Sequence, residues 1–143
     1  MAESFSNFLT SKEFTEANQT IDIVPEAANS ISDGIGSRVA NSVSQIHSIY
    51  ITKREYNATQ YIPTEKDGAY INIYIYDNTK NDKYYLAHNV CVLPCSSFYI
   101  EKTITLLTNQ SLKIEYSEWN KDDKGEIIKS KIDCICSGID IVK

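Results

Sequence analysis

The segment AYINIYIYDN, residues 69–78, decides the fold. Ile71, Ile73 and Ile75 recur at every second position, with Asn72, Tyr74 and Tyr76 between them. An extended chain sends successive side chains to opposite faces, so this period of two gives one wholly apolar face that belongs against a core. Isoleucine and tyrosine both suit a pleated, half-buried surface. The segment runs into Asp77-Asn78-Thr79-Lys80-Asn81-Asp82. These side chains hydrogen-bond their own backbone and tolerate positive φ, so a chain reversal is expected there.

The same signal continues outward in both directions. Upstream, Ile49 and Ile51 alternate with Tyr50 and Thr52. Downstream, Leu112, Ile114 and Tyr116 alternate with Lys113, Glu115 and Ser117, the mark of a strand with one face in and one face out. Further strands are expected over residues 58–62, 84–93, 98–107 and 127–136, with a last short one at Ile139 and Ile141. Turn signals separate them at Lys66-Asp67-Gly68, Pro94, Thr108-Asn109-Gln110 and residues 119–125. No segment keeps a helical period long enough to cross over a parallel sheet. The expectation is an all-β protein, an antiparallel β-sandwich of about seven or eight strands, jelly-roll or immunoglobulin-like in topology.

Residues 1–43 read differently. They are rich in Ser, Asn, Ala, Glu and Thr, with short apolar islands. Phe5, Phe8 and Leu9 fit one face of a short helical turn, and Ile21 and Ile23 around Asp22 fit a short strand ending at Pro25. Residues 26–43, with Gly34 and Gly36, read as a loop with a helical turn near Val39–Val43. The chain is therefore expected to divide into an extended N-terminal arm, residues 1–43, and a sandwich domain, residues 44–143. The arm either packs back on the sandwich or is ordered against a neighbouring subunit.

The bulk properties narrow the function classes. The chain has 143 residues, 42% hydrophobic and 23% charged, which is a globular composition of one-domain length. The formal net charge is −5 and the basic residues are scattered, so no cationic face for nucleic acid is expected. No apolar run is long enough for a membrane helix, and Met1-Ala2-Glu3-Ser4 lacks the cationic start of a signal peptide. Synthesis in a cytoplasm is expected, with the four cysteines reduced. Ten tyrosines offer apolar area with a polar tip, as interfaces prefer. Tyr74 and Tyr76, opposite the isoleucine face, are either the inner side of a curled sheet or a docking surface. As a docking surface they would suit a protein partner or, by ring stacking, a sugar.

The candidates for chemistry are weaker. His88, Cys91 and Cys95 are spaced H-x-x-C-x-x-x-C, with Cys134 and Cys136 downstream. A tetrahedral zinc site wants such ligands paired across a tight loop. Here His88 and Cys91 have opposite parity within an expected strand, while Cys134 and Cys136 share a face with Ile132 and read as small core residues. The two histidines, His47 and His88, both fall in expected strands. There is neither a Gly-x-Ser-x-Gly elbow nor a phosphate-binding glycine array. Asp77, Asp82, Asp122 and Asp123 lie among lysines in expected turns, without calcium-loop spacing. Neither catalysis nor a cofactor is expected.

One run supplies a more specific lead. YYLAHNVCVLPCSSFYIEKTITLLTNQSLKIEYSE, residues 84–118, resembles small β-sandwich virion proteins of tailed bacteriophages. In that family a YYL-x-x-N-V strand leads to a Pro-x-Gly-Ser-Ser turn, a further strand and a Leu-x-x-Gly-Asp-Ser-Leu-Lys-Val hairpin. HSIYITK (47–53), AYINIYIYDN (69–78) and IDCICSGIDI (132–141) resemble its first and closing strands, so the likeness spans roughly residues 47–141. Two turns depart from it. Pro94-Cys95-Ser96-Ser97 lacks the glycine, and Asn109-Gln110 replaces Gly-Asp, with Asn109 expected to take the left-handed conformation in its place. The resemblance implies a non-enzymatic virion part: a capsid decoration, neck or tail subunit, multicopy or homo-oligomeric, bound to other virion proteins and assembled in the host cytoplasm. Phe5, Phe8, Leu9, Ile21 and Ile23 of the arm, with Tyr74 and Tyr76, are the residues expected to make those contacts. A carbohydrate- or receptor-binding module is the rival reading.

Overall fold

The computed structural model describes residues 2–27, 38–54, 67–94 and 96–142. The strand expected at 58–62 and the glycines at 34 and 36 lie outside them. The described residues form nine strands: β1 (Ala2–Phe14), β2 (Thr20–Val24), β3 (Val43–Lys53), β4 (Ala69–Asp77), β5 (Asp82–Val92), β6 (Ser97–Ile100), β7 (Ile104–Leu106), β8 (Gln110–Tyr116) and β9 (Ser130–Val142). They build two antiparallel sheets. One runs β1-β9-β3-β6, with β7 beside β6 along the same edge of β3, and the other runs β2-β8-β4-β5.

That order settles the topology. β1 pairs with β9, β2 with β8, β3 with β6 and β7, and β4 with β5. These are the rungs of one long antiparallel hairpin whose tip is the 77–82 turn. Rolling the hairpin up adds the pairs β3–β9 and β4–β8, which close each sheet. The result is a jelly roll, a sandwich of eight strand positions in which β6 and β7 share one.

Alternation fixes the core. Ile71 and Ile73 of β4, Leu112 and Ile114 of β8, Ile49 and Ile51 of β3, and Ile132, Cys134 and Cys136 of β9 point between the sheets and are buried. Each such isoleucine contributes on the order of 1.5–3 kcal/mol through lost water contact. Phe14 stacks on Tyr116 with ring centroids 5.0 Å apart and an interplanar angle of 4°. The Tyr116 hydroxyl donates to the Ile128 carbonyl and meets Ser130 Oγ at 3.1 Å, so the ring is buried without stranding its polar tip.

The described part of the expected arm packs back on the sandwich, and it does so as paired strands. β1 pairs with β9 in unbroken register from Ala2↔Val142 to Phe14↔Ser130, and β2 pairs with β8. The described part of residues 1–43 thus supplies a strand to each sheet, with Phe8, Phe14, Ile21 and Ile23 in the core. The helical turn expected at Phe5, Phe8 and Leu9 is strand. Spacings of three and four suit a helix face, but thirteen paired positions against β9 outweigh that local pattern. Likewise Val39–Val43 forms a turn at residues 40–41, with Asn41 at φ +60°, and then enters β3.

A buried charge ties one end of the roll together. Arg38 is 2% exposed, and its guanidinium donates to the carbonyls of Pro25, Ser42, Leu106, Leu107 and Gln110 at 2.6–3.2 Å. Burial lowers its pKa, against the opposing fields of Asp140 and Glu26. Asp140, also buried, accepts from Ser6 Oγ, Ser44 Oγ and the Val39 amide. The two residues join the 38–42 turn, the β7–β8 turn and the ends of β1, β3 and β9.

Candidate interaction face

Two broad outer surfaces are available, and they differ in kind. On the outside of the β2-β8-β4-β5 sheet, one register line runs Asp22–Lys113–Tyr74–Tyr85. Its side chains engage one another. Lys113 Nζ lies 2.5 Å from Asp22 Oδ1 and 5.7 Å from the centre of the Tyr76 ring. Lys83 Nζ stands 4.9 Å over Tyr74 and 3.5 Å from Glu115, which accepts from Asn72 Nδ2 at 3.0 Å. The Tyr74 and Tyr85 rings are 5.4 Å apart, and His88 meets Tyr85 edge-on at 5.0 Å. Tyr74 is 2% exposed, and its burial, with the Glu115 charge second, pushes the phenol up to about 12. The Tyr74–Tyr76 docking platform is therefore not presented: Tyr74 is covered, and Tyr76 donates its hydroxyl to Asn81 within the β4–β5 turn.

The outside of the five-stranded sheet is different. Leu9↔Ile135, Ile135↔Tyr50 and Tyr50↔Tyr99 are successive register partners, so one line crosses β1, β9, β3 and β6 with apolar side chains throughout. All four are exposed, at 42%, 54%, 36% and 58%. Their chain neighbours Phe8, Thr10, Cys134, Cys136, Ile49 and Ile51 are buried, as a period of two demands. Tyr50 and Tyr99 stack at 5.9 Å, and the Tyr50 hydroxyl donates to Glu101, which raises its pKa. Two lines further along, Phe5, which is 91% exposed, pairs with Ile139, and Ile139 pairs with Gln45. Asn7, Ser137 and Ser48 fill the line between. The positions of β1, β9 and β3 on these lines carry no charge, and at the β6 edge Glu101, held by the Tyr50 hydroxyl, brings a carboxylate onto the face. Beyond the Leu9 line, Arg54 Nη2 and Asp133 Oδ1 form an ion pair at 2.8 Å.

Of the residues expected to make contacts, Phe5 and Leu9 lie on this face. Phe8, Ile21 and Ile23 do not reach either surface, because strand parity turns them into the core. Ile135, Tyr50 and Tyr99 were not among the residues expected to make contacts, although Tyr50 and Tyr99 belong to the tyrosine set that interfaces prefer. Strand alternation alone puts Tyr50 opposite Ile49 and Ile51, but joining it to Leu9 requires the register of four strands.

The proposed metal ligands are spread apart. Cys134 and Cys136 face the core from β9, and burial raises both thiols, that of Cys136 to about 12. Cys91 pairs with Tyr70 on the outer side of the other sheet, and His88 is exposed beside Asn89. Cys95 lies outside the described residues. No group of three or more metal-ligating side chains gathers among those described. Asn89 at φ +50° and two register shifts break the simple alternation of β5. A cleft of about 510 Å³ also opens where Leu86 of β5 approaches Phe98, Ile100 and Ile104.

No family model matches the chain, and no curated protein matches it in sequence. Among solved structures it is similar to a chain in a structure of infectious bursal disease virus, Gx strain, at 10% identity and a TM-score of 0.46. That alignment covers 98% of this chain and 32% of the viral one, so this chain spans about a third of its length.

Proposed function

We propose that this chain is a non-enzymatic structural subunit of a virus particle, of the tailed-bacteriophage kind that its 84–118 run resembles. It attaches to other virion proteins through the outer face of the five-stranded sheet. The observation that carries the reading is the exposed apolar Leu9–Ile135–Tyr50–Tyr99 line, which crosses four strands. Contiguous exposed apolar surface is uncommon on a protein that works alone and marks a site of association. A jelly roll is compatible with this role but does not select it, since the fold also serves lectins and enzymes.

The contact differs from the one the sequence suggested. Phe5 and Leu9 take part as outward residues of a paired strand rather than as a free arm. Capsid decoration, neck and tail positions all need such a face. The test is fractionation of particles on a density gradient: the chain should travel with intact particles and leave them when they are disrupted. Recovery only in the soluble fraction, with particles intact, would overturn the proposal. In the rival reading, glycans stack on exposed tyrosines, which among the described residues are Tyr50, Tyr84, Tyr85 and Tyr99. Glycan binding that falls with Tyr99→Ala while particle association is unchanged would favour that reading.

A further inference from the structure

We propose that the free edge of β1 takes an extended segment of another virion protein as an added strand, with apolar residues of that segment beside Phe5 and Leu9 and a cationic one beside Glu3. The inference rests on the attachment reading above and names the form its partner takes.

Each sheet has two edges, and three of the four are blunted. β2 has five residues and a register shift between Asp22 and Val24. β5 carries two register shifts and Asn89 at φ +50°. β6 and β7 have four and three residues and are parted at 101–103. Short, bulged or broken edges are how sheets keep their outermost backbone donors and acceptors from recruiting another chain. β1 has none of these devices. Its thirteen residues pair with β9 in unbroken register, without proline, and no described strand pairs along its other side. Its charged residues, Glu3, Lys12 and Glu13, stand at the two ends, so Ser4–Ser11 is a neutral stretch open to main-chain pairing.

The side chains along that edge describe the occupant. Phe5 is 91% exposed and Leu9 42%, and the apolar line stops at Leu9 because β1 is the last strand. A side chain in a sheet is covered by the residue opposite and its diagonal neighbours. An added strand with apolar residues at every second position therefore carries the line one strand further. Glu3 shares the outward parity of Phe5 and Leu9, and it has Ile141 opposite it on β9, whereas Glu13 has Lys131. The acidic charge at the Glu3 end is matched by a lysine or arginine of the occupant. A second copy fits worse. Two β1 edges in full antiparallel overlap set Glu3 of each against Glu13 of the other, like charges directly opposite. The net charge of −5 on each copy adds to that repulsion.

The probe is a fluorescent synthetic peptide of alternating valine and threonine, as long as Glu3–Glu13, with a lysine at each end in phase with the valines. The purified full chain is titrated against it by anisotropy. Wild type should bind, and Glu3→Lys/Glu13→Lys should bind about tenfold more weakly. For the same peptide ending in glutamates the order should reverse. Methylating alternate peptide nitrogens separates strand addition from charge attraction. Methyl groups on the amides that face β1 block the ladder, and those on the intervening amides do not, so the two patterns should differ by about tenfold or more. Saturating peptide should also keep wild-type chain from loading onto particles that lack it. Both substituted positions are exposed, so the variant should melt with wild type. No binding, equal binding of the two methylation patterns, an unchanged charge preference, or loading untouched by saturating peptide would overturn the inference. A wild type that sediments as a dimer and is split by the peptide would place a second copy on the edge and overturn it as well. The attachment reading fails separately, if wild type stays off particles with no peptide present.

Discussion

At the scale of single residues, the two least tolerant positions are ones that composition does not advertise. Arg38 satisfies five carbonyls from four segments of chain. Arg38→Ala takes a charged donor from each, although Thr108 Oγ1 still reaches the Ser42 carbonyl and the Gln110 amide that of Leu107, and a loss of about 3 kcal/mol is expected in urea unfolding. Arg38→Lys should recover only part of it, because an ammonium cannot span the fork of a guanidinium. Gly138 is fixed by space: a Cβ there would lie 2.4 Å from the Gln45 carbonyl oxygen and 3.1 Å from Ile46 Cα. Gly138→Ala must push β9 away from β3, and about 1–3 kcal/mol of destabilisation should follow, read as a lowered melting temperature. Asp77 supplies a pH dependence. The Lys80 amide and Gln110 side chain, with Asn109 beside them, hold its carboxylate below the usual value of 3.8. A lowered folded-state pKa adds stability that is complete above about pH 4 and is lost as pH falls through the folded value. The acid-side drop in melting temperature should therefore be shallower in Asp77→Asn, from a lower plateau at neutral pH.

At the scale of elements, legibility followed the strength of alternation. β4 and β8 were plain because isoleucine, leucine and tyrosine at every second position have one physical reading. The 77–82 turn was equally plain. β1 was not, since Glu3, Ser4, Ser6, Asn7 and Ser11 are poor strand formers and its extended form comes from pairing with β9. β9 was read as two pieces because Ser137 and Gly138 interrupt its apolar period, yet that glycine is what lets β3 approach. The single strand expected over 98–107 divides into β6 and β7 at Glu101-Lys102-Thr103. Asn109 does not take the expected positive φ; its side-chain amide donates to Asp77 and Thr79 of the β4–β5 turn, while Gln110 closes the hairpin on Leu107 through its backbone N–H and side-chain carbonyl. One comparison tests whether β1 is integral to the roll. Phe8→Ala should cost about 3–5 kcal/mol in unfolding free energy, as for other buried aromatics, and Phe5→Ala within about 0.5 kcal/mol. Equal and small effects would return β1 to the status of a free arm.

At the scale of the whole molecule, the sandwich was readable from strand periodicity, but the jelly-roll order was not. Alternation says which side chains share a face of one strand and nothing about which strand lies beside it. The interaction face has the same character: Leu9, Ile135, Tyr50 and Tyr99 are scattered over 127 positions of sequence and become one line only through the register of β1, β9, β3 and β6. The rolled hairpin thus makes two unlike surfaces from one alternating pattern, a polar one locked by its own ion pairs and one crossed by an exposed apolar line. The most direct measurement of that account is the loading of recombinant chain onto particles that lack it, compared for wild type, Ile135→Lys and Tyr85→Lys. The account predicts that Tyr85→Lys, on the polar sheet, loads as wild type does and that Ile135→Lys is lost from the particle fraction while remaining folded. Full loading of Ile135→Lys would contradict it.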